Sequence, residues 1–133
     1  MKGYNVAIVG ATGLVGQELV PAPVLRSRNI KDFKDEVTVL KDFQDMRVEV
    51  KIENRGSQEG KEIFNVIIMA KQKETQKVIK DLRVTLLKDD LELESCLNDS
   101  GSVTFEHILL GRYVIELATI DKKIAAILID IKV

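Results

Sequence analysis

Apolar and polar residues alternate with a period of two along most of this chain, and turn residues interrupt the alternation at short intervals. In "MRVEVKIE" (46–53), Val48, Val50 and Ile52 share one face while charged residues occupy the other, as in a strand with one buried face. "IFNVIIMA" (63–70) is apolar on both faces, which indicates a strand in the middle of a sheet. Strands are predicted at 37–43, 46–53, 63–70, 82–90, 91–99, 103–111, 112–121 and 122–133, with a short helix or a lysine-rich loop at 71–81.

The spacing of these predicted strands indicates the fold class. They recur about every ten residues and are separated by turns such as Asp-Asp and Asn-Asp-Ser-Gly, without the alternation of strand and helix that a parallel sheet requires. This pattern predicts an all-β fold, an antiparallel β-sandwich with a short N-terminal arm. We assign residues 37–133 to the sandwich domain and residues 1–36 to an arm or linker.

The second half of the chain carries the pattern of a known group of domains. It has "VTL" at 84–86, "NDSG" at 98–101, Val and Phe two apart in 103–105, and "GRY" at 111–113. In this order, 64–133 resembles carboxypeptidase-regulatory-like and transthyretin-like (prealbumin-like) domains. The resemblance implies an immunoglobulin-like or prealbumin-like sandwich without a built-in active site, used as a spacer, a binding module or an appended domain.

The arm begins with a different signal, "YNVAIVGATGLVGQELV" (4–20), an apolar strand that leads into Gly10, Gly13 and Gly16. In dinucleotide-binding folds, glycines at this spacing allow a tight turn, a close approach to the pyrophosphate and tight helix packing. The first 20 residues resemble the N-terminus of aspartate-semialdehyde dehydrogenases, which implies NADP binding. The two prolines of "PAPV" follow at once and end such a helix after roughly two turns, short for a crossover helix.

Two interpretations of this arm stay open. In the first, it is a flexible arm, an added strand or a fused segment, and the chain binds no cofactor. In the alternative, the chain is an NADP-binding, oxidoreductase-related fragment that uses the three glycines, with Asp42 as the candidate acid for the ribose.

The segment "KKIAAILIDIKV" (122–133) is apolar on both faces, so both faces need cover. If it is an edge strand, its free backbone groups can pair with a strand of a protein partner or of a second copy of the chain. If it is a central strand, the N-terminal arm covers it. The side chains that would form the interface in the first case are Ile124, Ile127, Ile129 and Ile131.

Composition places the chain among globular domains. It has 133 residues, of which 45% are hydrophobic and 31% are charged, enough for one domain with a core. The formal net charge of −1 offers no field that would attract nucleic acid, so we predict no nucleic-acid role. No apolar run approaches the roughly 20 residues needed for a membrane span, and the N-terminus is a poor signal peptide, which makes the cytoplasm the default location.

Candidate chemistry is sparse. Cys96 and His107 are the single cysteine and the single histidine, and a catalytic pair would need a third, orienting group. Acids at the predicted turns lack the spacing of a calcium-binding loop, and the lysines of 71–80 are not interleaved with aromatic residues. We therefore predict no catalytic residue and no metal site. The predicted function is a non-enzymatic protein-binding or structural module, an accessory or scaffolding subunit of a larger assembly.

Overall fold

The structure is a computed structural model that describes residues 4–15, 18–21, 28–33, 36–43 and 45–132, with side chains described from residue 36 onward. These residues form strands and turns without a helix, which confirms the all-β prediction. The segment 71–81 begins with the last two residues of a strand, Lys61–Gln72, and continues as a loop, with one isolated bridge between Lys71 and Val78. The strands are β1 (Tyr4–Val15), β2 (Glu18–Pro21), β3 (Arg28–Phe33), β4 (Glu36–Phe43), β5 (Met46–Gln58), β6 (Lys61–Gln72), β7 (Arg83–Lys88), β8 (Leu91–Leu97), β9 (Ser102–Ile108), β10 (Gly111–Ala118) and β11 (Lys123–Lys132).

The described strands form two antiparallel sheets that make a β-sandwich. The first sheet has the order β2-β1-β11-β10-β7-β8, and β3 also pairs with β1. The second has the order β4-β5-β6-β9, so β6 is a central strand, as its two apolar faces predict. The chain passes from the first sheet to the second between β8 and β9, which pair with different neighbours.

The hydrophobic core lies between the two sheets and follows the period of two. Val48, Val50 and Ile52 of β5 are fully buried, as predicted, and Phe105 of β9 packs in the same cluster. Burying one such side chain stabilises the fold by roughly 1.5–3 kcal/mol. The opposite face of β5 carries Arg47, Glu49 and Lys51, which form ion pairs with residues of β4 and β6.

Gly111 and Tyr113 form the entry to β10. Gly111 has a φ of 144°, a conformation that suits glycine. Two residues later, the ring of Tyr113 is buried and its hydroxyl donates to the carbonyl oxygen of Leu109 at 2.8 Å. The Nζ of Lys88 lies 4.8 Å from the centroid of that ring. The ring therefore fills the core while its hydroxyl is satisfied at the corner of the chain.

The structure corrects the edge-strand interpretation of the last segment. β11 pairs with β10 along one side and with β1 along the other, with Ile131 opposite both Gly111 and Val6. It is therefore a central strand covered by the arm, the second of the two alternatives. Ile127, Ile129 and Ile131 are fully buried inside the chain, and Ile124 is half-buried against the core, so these side chains do not form an exposed interface.

The glycines in the described part of the arm lie within a strand. β1 continues as a strand through Gly10 and Gly13, which lie opposite Leu128 and Ala125 of β11. A dinucleotide site needs the chain to turn at the first glycine and to start a helix beyond it. Gly16 lies outside the described residues. The described glycines therefore belong to an added strand and not to a strand-turn-helix unit.

Candidate binding surface

β8 is an edge strand of the sandwich. Among the described strands it pairs with β7 alone, so the backbone groups along its other side have no partner strand. Such a row of N–H and C=O groups can accept an additional strand. We call the residues of this strand, Leu91–Leu97, the β8 edge.

A tight hairpin positions the β8 edge. Asp89 and Asp90 connect β7 to β8 and have φ values of 52° and 64°, as in the two-residue turn that suits the twist of antiparallel strands. Aspartate tolerates this left-handed conformation better than most residues do. The turn sets Lys88 opposite Leu91, and a register shift near Leu93 leaves that residue without a direct partner on β7.

Three leucines of the β8 edge are exposed to an unusual degree. Leu91 is 68% exposed, Leu93 is 54% exposed and Leu97 is 50% exposed. Single apolar side chains are normal on a surface, but this edge strand exposes three, with Leu91 opposite Lys88 on one face of the sheet and Leu97 opposite Arg83 on the other. The β8 edge therefore combines free backbone groups with apolar side chains, the two components of a strand-binding surface.

An open cleft of about 740 Å³ adjoins the β8 edge at Leu97. Its floor is a row of neighbouring residues on three strands, because Arg83 of β7 lies opposite Leu97 on one side and Ala118 of β10 on the other. The loop before β7 and the turn after β10 form its walls, and Ile120 in that turn is 98% exposed. We call this space the end cleft.

Buried hydrogen bonds hold one wall of the end cleft in place. Asn98 is 2% exposed, and its side-chain oxygen accepts the N–H of Leu82 at 2.7 Å. Its side-chain nitrogen donates to the carbonyl oxygen of Ile79, also at 2.7 Å. Ile79 and Leu82 both line the cleft, so this single side chain fixes the wall against the end of β8.

The β8 edge carries negative charge that the chain does not neutralise. Asp89, Asp90, Glu92 and Glu94 are all exposed, and none of them forms an ion pair with a described lysine or arginine. The cations on β7 have other contacts: the guanidinium of Arg83 donates to the hydroxyl of Ser95 at 3.1 Å, and Lys88 lies over the Tyr113 ring.

In the second sheet, strands β4 and β5 differ in this respect. Their exposed face pairs acid with base, with distances of 2.7 Å for Arg47–Asp42, 3.2 Å for Lys51–Glu36 and 3.4 Å for Lys71–Glu49. The Arg47 hydrogen bonds and charge lower the pKa of the Asp42 carboxyl below its ordinary value. The acids of β4 and β5 therefore have basic partners, whereas the acids of β8 and Glu106 of β9 have none among the described residues.

The structure places the other candidate residues apart. Cys96 is half-buried on β8 in the first sheet, whereas His107 is exposed on β9 in the second, so they do not share a hairpin. Within the described residues, no group of three or more His, Cys, Asp and Glu side chains is arranged to hold a metal ion. The part of the chain that the structure describes contains no helix with the length and apolarity needed to cross a bilayer.

Sequence reasoning identified the strand of the β8 edge but not its exposure. The signal was "LELESCL", in which leucine alternates with glutamate, although this pattern alone predicts that the leucines face a core.

Comparison of the chain with protein-family models, with curated proteins and with solved structures finds no significant match.

Proposed function

We propose that this chain is a non-enzymatic β-sandwich module that binds another protein through the β8 edge and the end cleft. The observation that carries the proposal is the exposure of Leu91, Leu93 and Leu97, each at least half exposed on a strand with one unpaired side. An added strand would cover the leucines and complete the backbone hydrogen bonds in a single step.

The arrangement of the two surfaces supports this mode of binding. In strand addition, backbone hydrogen bonds supply much of the affinity, while pockets for particular side chains supply specificity. Leu97 belongs to both surfaces, since it ends β8 and lies in the lining of the cleft. One partner segment can therefore lie along β8 and place a side chain in the cleft.

The lining of the end cleft favours an apolar side chain at that position. Ile79, Leu82, Leu97 and Ile120 contribute apolar surface. The charged residues in the lining are Lys80, Asp81, Arg83 and Asp99, two basic and two acidic, so they give the cleft no net charge. The cleft thus selects by shape and hydrophobicity and not by charge.

We further propose that the module is related to the carboxypeptidase-regulatory-like and transthyretin-like domains, as the resemblance over 64–133 suggests. The antiparallel sandwich and the corner at Gly111 and Tyr113 are compatible with this relation. Such a module would act as an accessory or scaffolding subunit that holds one protein chain beside another.

The proposal is tested by selecting binders from a library of displayed random peptides. We expect the selected peptides to bind the wild-type protein and to lose binding to a Leu93→Asp, Leu97→Asp double variant. The matched control is Leu109→Asp, since Leu109 is 39% exposed and lies outside both surfaces. Circular dichroism and thermal unfolding establish that each variant is folded.

Two results would contradict the proposal. One is a selection without any binder. The other is a set of binders whose affinity for the folded double variant equals their affinity for the wild type and for Leu109→Asp.

A further inference from the structure

We infer that the β8 edge binds a short extended segment of another protein, paired antiparallel to β8, in which an apolar residue is followed two positions later by serine or threonine. This inference rests on the proposed function, because it specifies the sequence of the partner segment at the same surface. It is argued from the free backbone groups of β8, from the face on which the end cleft lies and from the hydrogen bonds of Ser95.

The backbone groups of Ser95 and Leu97 are the ones that a partner strand would meet. The N–H of Asn98 donates to the carbonyl oxygen of Leu82 at 2.9 Å, so the backbone of Asn98 faces the chain that leads into β7. Along an antiparallel strand, the backbone groups of successive residues point to alternate sides. Those of Cys96 therefore face β7, whereas the N–H and C=O of Ser95 and Leu97 face the open side of β8.

A bulge limits the length of the regular ladder on this open side. The register of β8 against β7 shifts at Leu93, which lies as an extra residue between two glutamates. A bulge leaves its extra residue unpaired and disrupts the ladder locally. At the other end, the N–H of Gly101 donates to the carbonyl oxygen of Asn98 and closes a turn. A regular partner strand is therefore short, and two of its residues lie opposite Ser95 and Leu97.

The end cleft opens on the same face of the sheet as these two side chains. Leu97, Arg83 and Ala118 form a row across three strands and all line the cleft. Ser95 shares this face, because it lies two residues before Leu97 in the strand. Residues directly opposite each other in an antiparallel pair also share a face. The partner residue opposite Leu97 thus lies beside an exposed leucine and the cleft, where an apolar side chain covers both.

The hydroxyl of Ser95 selects the second residue of the segment. It accepts a hydrogen bond from the guanidinium of Arg83 at 3.1 Å and shares another with the hydroxyl of Thr85 at 3.0 Å, both from the β7 side. A serine hydroxyl has one donor and two acceptor sites, so one site is left for a partner. Whether that site donates or accepts depends on the direction of the bond between Thr85 and Ser95. A partner serine or threonine matches either case, because its own hydroxyl both donates and accepts.

Antiparallel pairing fixes the order of the two partner residues. Every pairing between described strands is antiparallel, and antiparallel pairs are more stable per residue than parallel ones. A strand antiparallel to β8 runs from Leu97 toward Ser95, so the apolar residue comes first and the hydroxyl residue follows two positions later. The residue between them lies opposite Cys96, and its backbone groups point away from β8.

The test uses synthetic peptides with blocked ends and identical flanking residues around a centre of three residues. The centre Leu-Val-Thr follows the inferred order, Thr-Val-Leu reverses it, and Leu-Val-Val replaces the hydroxyl by a methyl group. Three further copies of the Leu-Val-Thr peptide carry one N-methyl group each, on leucine, on valine or on threonine, which removes the N–H of that residue. Binding is measured by NMR titration of the isotope-labelled wild-type protein, because the shifts of its backbone amides also locate the site.

A pair of matched variants tests the contribution of the Ser95 hydroxyl. Ser95→Ala removes this hydroxyl from β8. The control is Ser102→Ala, because Ser102 is also a half-buried serine on a strand but belongs to β9 of the other sheet. Circular dichroism establishes that both variants are folded, and the N-methyl series on the wild type does not depend on either of them.

We expect the Leu-Val-Thr peptide to bind most tightly and to shift the amides of Ser95 and Leu97. N-methylation of its leucine or threonine should weaken binding about tenfold, because each residue loses a backbone hydrogen bond to β8, whereas N-methylation of the valine should change it less than about twofold. The Leu-Val-Val peptide should bind the wild type about threefold more weakly than Leu-Val-Thr. Ser95→Ala should abolish this preference, and Ser102→Ala should keep it.

Three results would overturn this inference and leave the proposed function intact. The first is equal binding of the Leu-Val-Thr and Thr-Val-Leu peptides. The second is a loss on N-methylation of valine as large as the loss at leucine and threonine. The third is a set of display-selected peptides that bind at the β8 edge without an apolar residue two positions before serine or threonine. Concentration-dependent dimerisation of the wild type that Leu97→Asp abolishes would overturn the assignment to another protein, in favour of a second copy. Failure of every peptide, including those selected by display, would contradict the proposed function as well.

Discussion

The side-chain oxygen of Asn98 accepts the amide proton of Leu82 at 2.7 Å, within a site where Asn98 is almost fully buried. The same side chain donates to the carbonyl of Ile79. One residue thus satisfies two backbone groups on the loop before β7.

We expect Asn98→Ala to lower the free energy of unfolding by about 2–4 kcal/mol, because two buried backbone groups would lose their partner. Chemical denaturation followed by circular dichroism measures this loss. Asp99→Ala is the control, since Asp99 is exposed and the change should stay within about 0.5 kcal/mol. Equal losses for the two variants would show that the Asn98 side chain does not stabilise this loop.

We expect a side chain at position 111 to lower the stability of the protein, because the backbone conformation of Gly111 suits only glycine. Its φ of 144° lies in a region that only glycine adopts readily, whereas Gly60 at 78° is near the left-handed region that asparagine tolerates. We expect Gly111→Asn to destabilise the protein by about 1–3 kcal/mol and Gly60→Asn by less than about 1 kcal/mol. Thermal unfolding of the two variants compares them, and a larger loss at Gly60 would contradict the assignment.

Truncating a side chain should destabilise the protein more on one face of β11 than on the other. Ile129 is fully buried in the core, while its neighbour Leu128 is half-buried on the opposite face. We expect Ile129→Ala to cost about 2–5 kcal/mol and Leu128→Ala to cost less than half as much. Denaturant unfolding gives both values. Similar losses would mean that the outer face of this sheet is packed as tightly as the core.

The ion pair between Asp42 and Arg47 should make stability depend on pH in the acid range. Hydrogen bonds from Arg47 at 2.7 and 3.1 Å hold the pKa of Asp42 below its ordinary value of about 3.8. Because the folded-state pKa is lowered, the stabilisation is present above the ordinary value and is lost as pH falls through the folded value.

The check is the difference in unfolding midpoint between the wild type and Asp42→Asn, measured from neutral pH down to about pH 2. We expect the wild type to be the more stable protein above about pH 4 and the difference to vanish at the acid end. The difference should be small, because both side chains are more than a third exposed, and it should shrink in about 1 M salt. A difference that grows on acidification would contradict this account.

Much of the sandwich could be predicted from the period-two pattern, because that pattern records which residues face the core. Val48, Val50 and Ile52 lie on the buried face that their spacing indicates. The pattern says nothing about which strand lies beside which, since hydrogen bonding between strands uses the backbone and not the side chains. For this reason the sequence left open whether β11 is an edge strand or a central strand, and the structure makes it central, with β8 at one edge of its sheet.

The arm illustrates a second limit of sequence reasoning. The spacing of Gly10 and Gly13 fits a phosphate-binding turn, yet glycine is also accepted within a strand, and β1 has an irregular register between Ile8 and Gly10. Local residues do not decide between these conformations. In the structure β1 is extended, and it pairs with β11, a strand at the other end of the described chain.

The pairing of β1 with β11 also constrains the order of folding. It sets Asn5 opposite Lys132, so this ladder closes the longest loop of the described chain and carries the largest entropic cost of closure. The hairpins β4–β5, β5–β6, β7–β8 and β10–β11 join neighbouring segments and form at lower cost. We therefore expect β11 to be assembled while one side of its backbone is still open, before β1 closes that side.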